Sequence, residues 1–135
     1  MAREVATCLA LILCDEVKRP KGGGKPSILS AFTVLDVPTL PTATPPLSVW
    51  IHLTDGNGPT TMDLYFEHLP AGRLEPRIVA ATRFTLNFAD PNLVMEHEVI
   101  LHDGIYLQWS GRYRLRLTAD GTPIVHRYFI VQLRT

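Results

Sequence analysis

The residues best suited to chemistry lie in one segment, MEHEVILHDG, at positions 95–104. Its two histidines, two glutamates and aspartate are side chains that bind metals and transfer protons. On a β-strand, however, alternate side chains point to opposite faces, so His97 and His102 would diverge. Glu98 and His102 share a face but would lie about 13 Å apart, too far for one metal ion. We therefore interpret the segment as a half-exposed strand ending in an Asp-Gly turn. Histidines elsewhere in the chain stay open as further ligands: His52, His68 and His126.

No other motif specifies catalysis. The segment KGGGKPS at positions 21–27 has the residue types of a phosphate-binding loop but lacks its spacing and its helix. Lys25 is followed by Pro26 and a predicted strand, which favours a mobile basic loop. Neither Gly-x-Ser-x-Gly nor His-Glu-x-x-His occurs. We expect no enzyme activity, no cofactor and no metal.

The composition bounds the class of protein. With 135 residues, of which 46% are hydrophobic and 19% charged, the chain has the size and polarity of one globular domain, residues 1–135. Thirteen basic residues balance thirteen acidic ones. Nucleic-acid-binding proteins usually carry a basic excess, so we expect no nucleic-acid partner. A near-neutral protein is also prone to associate.

The apolar segment Val5–Cys14 is predicted to be a buried strand. Its ten residues are too few to cross a bilayer, which takes about 20. Glu4 precedes it and an Asp-Glu pair follows it, which does not fit a secretion signal. Cys8 and Cys14 would lie about 20 Å apart along that strand and cannot bond each other. We expect buried free thiols, no membrane association and a cytoplasmic location.

The rest of the chain is strand after strand, separated by turn residues. Because Val5–Cys14 is apolar on both faces, it should be central or covered on both sides. The proline-rich segment PTLPTATPP should cross from one sheet to another. These features predict an all-β fold, a two-sheet antiparallel β-sandwich of seven to eight strands. The predicted strands are Val5–Cys14, Ile28–Val37, Leu47–Leu53, Thr61–His68, Ile78–Phe88, Met95–His102, Tyr113–Leu117 and Val125–Leu133.

The register of the last hairpin depends on its loop. A two-residue loop, Asp120-Gly121, would place apolar residues of the last strand on the face of the arginines. A three-residue loop that adds Ala119, with Gly121 left-handed, shifts the register by one residue. We choose the longer loop because the buried face sets the register, although Arg127 then also faces the core. The core face would contain Tyr113, Leu115, Leu117, Val125, Phe129, Val131 and Leu133.

Three arginines alternate along the strand GRYRLRL, so Arg112, Arg114 and Arg116 should point outward together. Like charges in a row repel unless something neutralises them. One hypothesis is an acidic neighbouring strand, with Glu96 and Glu98 as candidates. The other is an anionic ligand or another subunit.

The two tryptophans are candidate binding residues. We expect Trp50 and Trp109 on the solvent side of a strand or in a loop, and for one of them we favour a partly buried edge position over a binding surface. Exposed aromatic residues often mark interfaces or surfaces that stack on sugars.

The segment GRYRLRLTADGTPIVHRYFIVQL resembles the closing hairpin of immunoglobulin-like sandwiches. The resemblance implies a tyrosine corner, in which the Tyr113 hydroxyl bonds to nearby backbone. ALILCDEV and SILSAFTVLDVP are similar to an uncharacterised family of short bacterial proteins. That resemblance implies a stand-alone β-sandwich and no known activity.

Three functions therefore stand in order of preference. The first is a non-catalytic module that binds a protein or forms a homo-oligomer. The second is a module that binds a carbohydrate or an anionic ligand through exposed tryptophan and arginine residues. The third is a metal-dependent enzyme around His97 or His102. The candidate binding residues are Trp50, Trp109, Arg112, Arg114 and Arg116.

Overall fold

Twelve strands form the fold in the described residues, more than the seven to eight predicted, and seven of them have seven or more residues. The computed structural model describes residues 5–72 and 75–134. This part of the chain has five further strands of four residues or fewer, and no helix long and apolar enough to cross a membrane. The strands are β1 (Thr7–Cys14), β2 (Glu16–Lys18), β3 (Ser27–Leu29), β4 (Val34–Val37), β5 (Thr42–Ala43), β6 (Leu47–Thr54), β7 (Gly58–Leu69), β8 (Arg77–Phe88), β9 (Met95–Leu101), β10 (Tyr106–Leu107), β11 (Gly111–Ala119) and β12 (Thr122–Leu133).

Two sheets pack face to face, which confirms the all-β sandwich. One has the order β1-β6-β9 and the other the order β4-β12-β11-β7-β8, with β4 parallel to β12 and all other pairs antiparallel. The first order matches strands A, B and E of an immunoglobulin-like domain. In the second, β7, β11 and β12 match strands C, F and G. The PTLPTATPP segment connects the two sheets, as predicted, and contains the short strand β5.

The core lies between the sheets and follows the predicted alternation. Val49, Ile51 and Leu53 of β6 are fully buried, and so are Leu64 and Phe66 of β7. Such alternation places one face of each strand in the core and leaves the other to solvent.

The polar side chains of β9 point to opposite faces of the strand, as predicted. His97 points inward and stacks on Phe84 of the other sheet, with ring centroids 4.2 Å apart. Burial lowers the pKa of His97, against the opposing effect of Glu98. His97 is therefore a packed histidine whose burial disfavours the charged form.

The second predicted strand, Ile28–Val37, is wrong as one element. It breaks at Ser30, whose φ is 55°, and its halves join different sheets. Between them, residues 30–33 form a crossing segment. The Phe32 amide donates to the Leu13 carbonyl at 3.0 Å, and the Ile130 amide donates to the Thr33 carbonyl at 2.8 Å. The crossing segment thus ties the edge strand β1 to β12 of the facing sheet.

The strand β1 is not central, because it lies at the end of its sheet. Its C-terminal half is nevertheless covered on both faces, since the β2–β3 hairpin packs against its outer side. That hairpin forms a second small core with Cys14, Val17 and Trp50. Cys8 and Cys14 are free thiols, half-buried and buried respectively, and burial raises the pKa of both.

The last hairpin has the predicted core face but a different loop. Asp120 and Gly121 alone form the turn, with φ of 48° and 83°, the combination that a type I′ turn requires. A bulge next to Leu117 then shifts the register by one residue. As a result Tyr113 lies opposite Phe129. Leu133 is 49% exposed, so its predicted burial is wrong.

Candidate functional site

The arginine row lies on the outer face of the five-stranded sheet. Arg112 is opposite Ile130, Arg114 lies between Tyr128 and Glu67, and Arg116 lies between His126 and Tyr65. Residues directly opposite each other in a sheet share a face, so these side chains form one surface. We call it the arginine face, consisting of Arg112, Arg114, Arg116, Glu67, Tyr65, Tyr128 and Ile130.

Glu67 is the acidic neighbour of the arginines. Its Oε1 accepts hydrogen bonds from the Nε atoms of Arg114 and Arg116, both at 3.0 Å. The side chain is only 6% exposed, although it belongs to an outer face, because the arginines cover it. Burial would raise the pKa of Glu67, but hydrogen bonds and charge from Arg116 and Arg114 lower it below its usual value.

The arginines do have an acidic neighbouring strand, but Glu96 and Glu98 are not the residues that neutralise them. Glu96 and Glu98 belong to β9, in the other sheet. Glu98 accepts a hydrogen bond from the Ser48 hydroxyl at 3.0 Å, and Glu96 lies 3.5 Å from the His52 ring nitrogen. An acidic neighbour does exist, but it is the adjacent strand β7 that supplies it.

Aromatic rings hold two of the guanidinium groups. Arg112 lies over the Tyr128 ring at 3.8 Å and Arg116 over the Tyr65 ring at 4.4 Å. Cation–π contacts of this kind are attractive, by about 0.5–1 kcal/mol at exposed sites, and so favour one position of the guanidinium over the ring. The face therefore presents positioned cations rather than freely moving side chains.

The charge on the face is unbalanced. Three guanidinium groups share one carboxylate, Glu67, which leaves two positive charges uncompensated there. Within the described residues, Arg112 has no ion-pair partner and the Nη atoms of Arg114 have no hydrogen-bond partner. The groups that could contact a ligand are thus already oriented and not saturated.

Exposed apolar side chains border the arginines. Val34, beside Ile130, is 47% exposed, and Ile78, beside Glu67, is 58% exposed. A bulge in β8 lies between Ala80, the partner of Phe66, and Ile78, the partner of Glu67. It turns Ile78 outward, and Val79 packs against the core instead. Cations and apolar groups therefore alternate across the surface.

Trp50 is buried, so its predicted solvent-side position is wrong. It is 2% exposed beneath the β2–β3 hairpin, with Arg19 over its ring at 5.1 Å. The sequence pattern placed Trp50 correctly on the outer face of β6. It did not reveal that the hairpin folds back over that face.

Trp109 lies in the loop before β11, as predicted, and is half-buried. Arg77 lies over one side of its ring at 4.6 Å, and His68 stacks against it at 5.1 Å. Burial lowers the pKa of His68, its bond to the Ser110 carbonyl opposes this, and Arg77 adds to it. Trp109 and Trp50 therefore lie under side-chain contacts that a stacking sugar would have to displace.

The predicted tyrosine corner is confirmed. The Tyr113 hydroxyl donates to the Trp109 carbonyl at 2.6 Å. Burial raises the pKa of Tyr113, and that hydrogen bond opposes the effect. The bond fixes the start of β11, the strand that carries all three arginines of the face.

The histidines and carboxylates do not assemble into a metal centre in the part of the chain that is described. Among those residues, no group of three His, Cys, Asp or Glu side chains is placed to hold an ion.

Comparison with known proteins supplies a family but no activity. A protein family whose function is unknown matches residues 9–132. No curated protein matches the chain. Similar solved structures include two of β-glucosidase from Listeria innocua, in complex with isofagomine and with gluconolactone. Sequence identity is 13% and 14%, coverage of this chain 96% and 91%, and TM-scores 0.47 and 0.46. The match spans only 16% of each enzyme chain, and likeness this low carries no inference about activity.

Proposed function

This chain belongs to DUF6941, a family of unknown function, and we propose that it is a non-catalytic module whose arginine face binds an acidic surface of another protein. The observation that carries the proposal is the pair of uncompensated positive charges held in place beside exposed apolar groups. The two free thiols suit a reducing compartment, so we place this role in the cytoplasm.

The composition of the face favours a protein partner. Tyrosine and arginine, with tryptophan, are the residues most enriched at binding hot spots, and the exposed aliphatic residues next to them offer apolar area that binding can bury. Tyr128 is 43% and Ile130 38% exposed, so both can lose further area on binding. The chain as a whole is neutral, which argues against the long basic track of a nucleic-acid-binding protein. Carbohydrate binding, the alternative, lacks an uncovered tryptophan.

The size of the face predicts a transient complex. Five strands spaced about 4.8 Å apart, over three rows of side chains, span roughly 500 Å². A stable complex usually buries about 800 Å² on each partner. We therefore expect dissociation constants in the micromolar range and dependence on ionic strength.

Self-association is a second candidate, with a different structural basis. In a symmetric dimer built on the arginine face, like charges would oppose each other, which disfavours that arrangement. The strand β8, by contrast, is a twelve-residue edge that pairs only with β7 among the described strands. An open edge of this length is a template for a second copy. Light scattering after size exclusion that shows a dimer would support this route, and a monomer at every concentration would contradict it.

The test of the arginine face uses a labelled peptide of alternating glutamate and tyrosine, with fluorescence anisotropy as the readout. Arg112→Glu reverses a charge that makes no bond to Glu67 and should weaken binding about tenfold. Tyr128→Ala should weaken it at least about fivefold. Ionic strength above about 0.1 M should weaken wild-type binding, because it screens exposed charges.

The matched control is Lys25→Glu, which makes the same charge change in the exposed glycine-rich loop. It should change affinity less than about twofold, since Lys25 lies outside the arginine face. Equal losses from Arg112→Glu and Lys25→Glu would contradict the proposal. Tighter binding of a single-stranded oligonucleotide than of the peptide would reassign the face to nucleic acid.

A further inference from the structure

A second candidate site lies at the edge of the sandwich, away from the arginine face. A cavity of about 370 Å³ opens between β1 of one sheet and β12 of the other, and the crossing segment covers it. This volume lies within the range of small-molecule sites, roughly 300–1,000 Å³. The side chains that shape it are mainly apolar, namely Leu11, Leu13, Phe32, Leu115 and Phe129, with Arg127 as the one charged residue.

Arg127 is an exposed charged residue among the side chains that line this cavity. It lies opposite Leu115 in the row that otherwise faces the core, between Val125 and Phe129. Its Nη1 donates to the carbonyl of its neighbour His126 at 2.9 Å. Among the described residues, no carboxylate lies within ion-pair distance of it. A cation with no ion-pair partner among the described residues thus lines a cavity whose walls are mainly apolar.

We propose that this cavity binds an aliphatic carboxylate, with the hydrocarbon chain between the two sheets and the carboxylate on the Arg127 guanidinium. The apolar walls recognise the chain by burying it. The Nε and Nη2 atoms of Arg127, which make no hydrogen bond to the described residues, can recognise a planar anion with two parallel hydrogen bonds. The proposal does not depend on the arginine face and assigns the protein a small-molecule ligand of medium-chain fatty acid type.

An ordinary structural role for Arg127 makes a different prediction. Inward-pointing charges at sheet edges also prevent edge-to-edge aggregation. A protective role would require only the positive charge and no ligand. Ligand selectivity separates the two explanations.

Isothermal titration with sodium decanoate tests the proposal on the full chain. Each methylene buried in an apolar cavity tightens binding about fourfold, so octanoate should bind roughly fifteenfold more weakly than decanoate. Decanol lacks the anion and should also bind about tenfold more weakly. Decyltrimethylammonium, with the opposite charge, should bind more weakly still.

Arg127→Met keeps an apolar stem of similar length and removes the charge. It should reduce decanoate affinity about tenfold and abolish the preference over decanol, whereas Arg83→Met, an exposed arginine on β8, should change neither. Ala31→Phe should obstruct the opening from the exposed crossing segment, without a change in the core, and weaken both ligands.

Three results would overturn the proposal. They are absence of decanoate binding to the wild-type chain, unchanged decanoate affinity in Arg127→Met, and an equal effect of Arg83→Met. Aggregation of Arg127→Met together with absence of binding by the wild type would instead establish the protective role.

Discussion

Replacing Glu67 by glutamine removes the one carboxylate of the arginine face and keeps its shape. In the wild-type chain this carboxylate accepts bonds from Arg114 and Arg116, at 3.0 Å each. The amide of glutamine retains one acceptor oxygen but turns an N–H donor toward a guanidinium. The three arginines then face one another with no counter-charge.

The expected loss of unfolding free energy depends on how far the arginine side chains are exposed to solvent. Breaking a fully buried ion pair costs about 3–5 kcal/mol, because the remaining charge cannot reach water. Here the arginine side chains are 25% and 27% exposed and can turn partly toward solvent. We therefore expect Glu67→Gln to lower the free energy of unfolding by about 2 kcal/mol at pH 7, or the Tm by roughly 6–10 °C.

Urea unfolding followed by circular dichroism measures this change. Asp63→Asn is the matched control on the same strand, since Asp63 pairs with Arg83, which is 71% exposed, and should cost less than about 1 kcal/mol.

The pH dependence supplies a second signature. The pKa of Glu67 is lowered in the folded chain, so its contribution is complete above the unfolded value of 4.5 and is lost as the pH falls through the folded value. The difference between wild type and Glu67→Gln should therefore narrow below pH 4.5. A difference under about 0.5 kcal/mol at pH 7, or one that persists unchanged in acid, would refute the reasoning.

Three further predictions concern stability. Tyr113→Phe removes the hydroxyl bond to the Trp109 carbonyl and should cost about 1–2 kcal/mol in urea unfolding; an unchanged midpoint would show that water replaces the bond. Gly104→Ala should cost at least about 2 kcal/mol by thermal unfolding, because φ is 68° there and a Cβ would collide with the Thr44 carbonyl; a wild-type Tm would contradict that backbone geometry. Because the pKa of His97 is lowered in the folded chain, the free energy of unfolding should decrease as the pH falls from 6.5 through the folded value. His97→Phe should therefore reduce the slope of unfolding free energy against pH between pH 7.5 and 5. An identical slope in the variant would assign the pH dependence to other groups.

The strands and their buried faces were predictable because alternation is a local signal. Leu47 to Leu53 alternate without interruption, and the structure buries the expected side of β6. In the last hairpin the buried face was also correct except at Leu133, although a bulge rather than a longer loop produces the shift. The apolar residues determine which face of the hairpin is buried, but more than one turn geometry can bury that face.

What could not be predicted depends on contacts between distant segments. Periodicity assigns Trp50 to an outer face, but only the return of the β2–β3 hairpin over that face buries it. The contact between Glu67 and Arg114 is also non-local, because the two residues lie 47 positions apart along the chain. Strand order decided that β7, and not β9, lies beside the arginines, and strand order has no local signature in sequence. The cavity beside Arg127 likewise exists only once the two sheets are packed.

The place of β12 in its sheet has a consequence for how the protein is made. This strand is translated after the other eleven described strands, yet it lies between β4 and β11 in the finished sheet. Val34 of β4 pairs with Ile130, so the early strand has no partner until almost the whole domain has left the ribosome. The β1–β6 and β7–β8 pairs are available sooner, because their strands are closer in the chain. The second sheet is therefore completed in a late step, when β12 pairs with β4, a strand that precedes it by 96 residues.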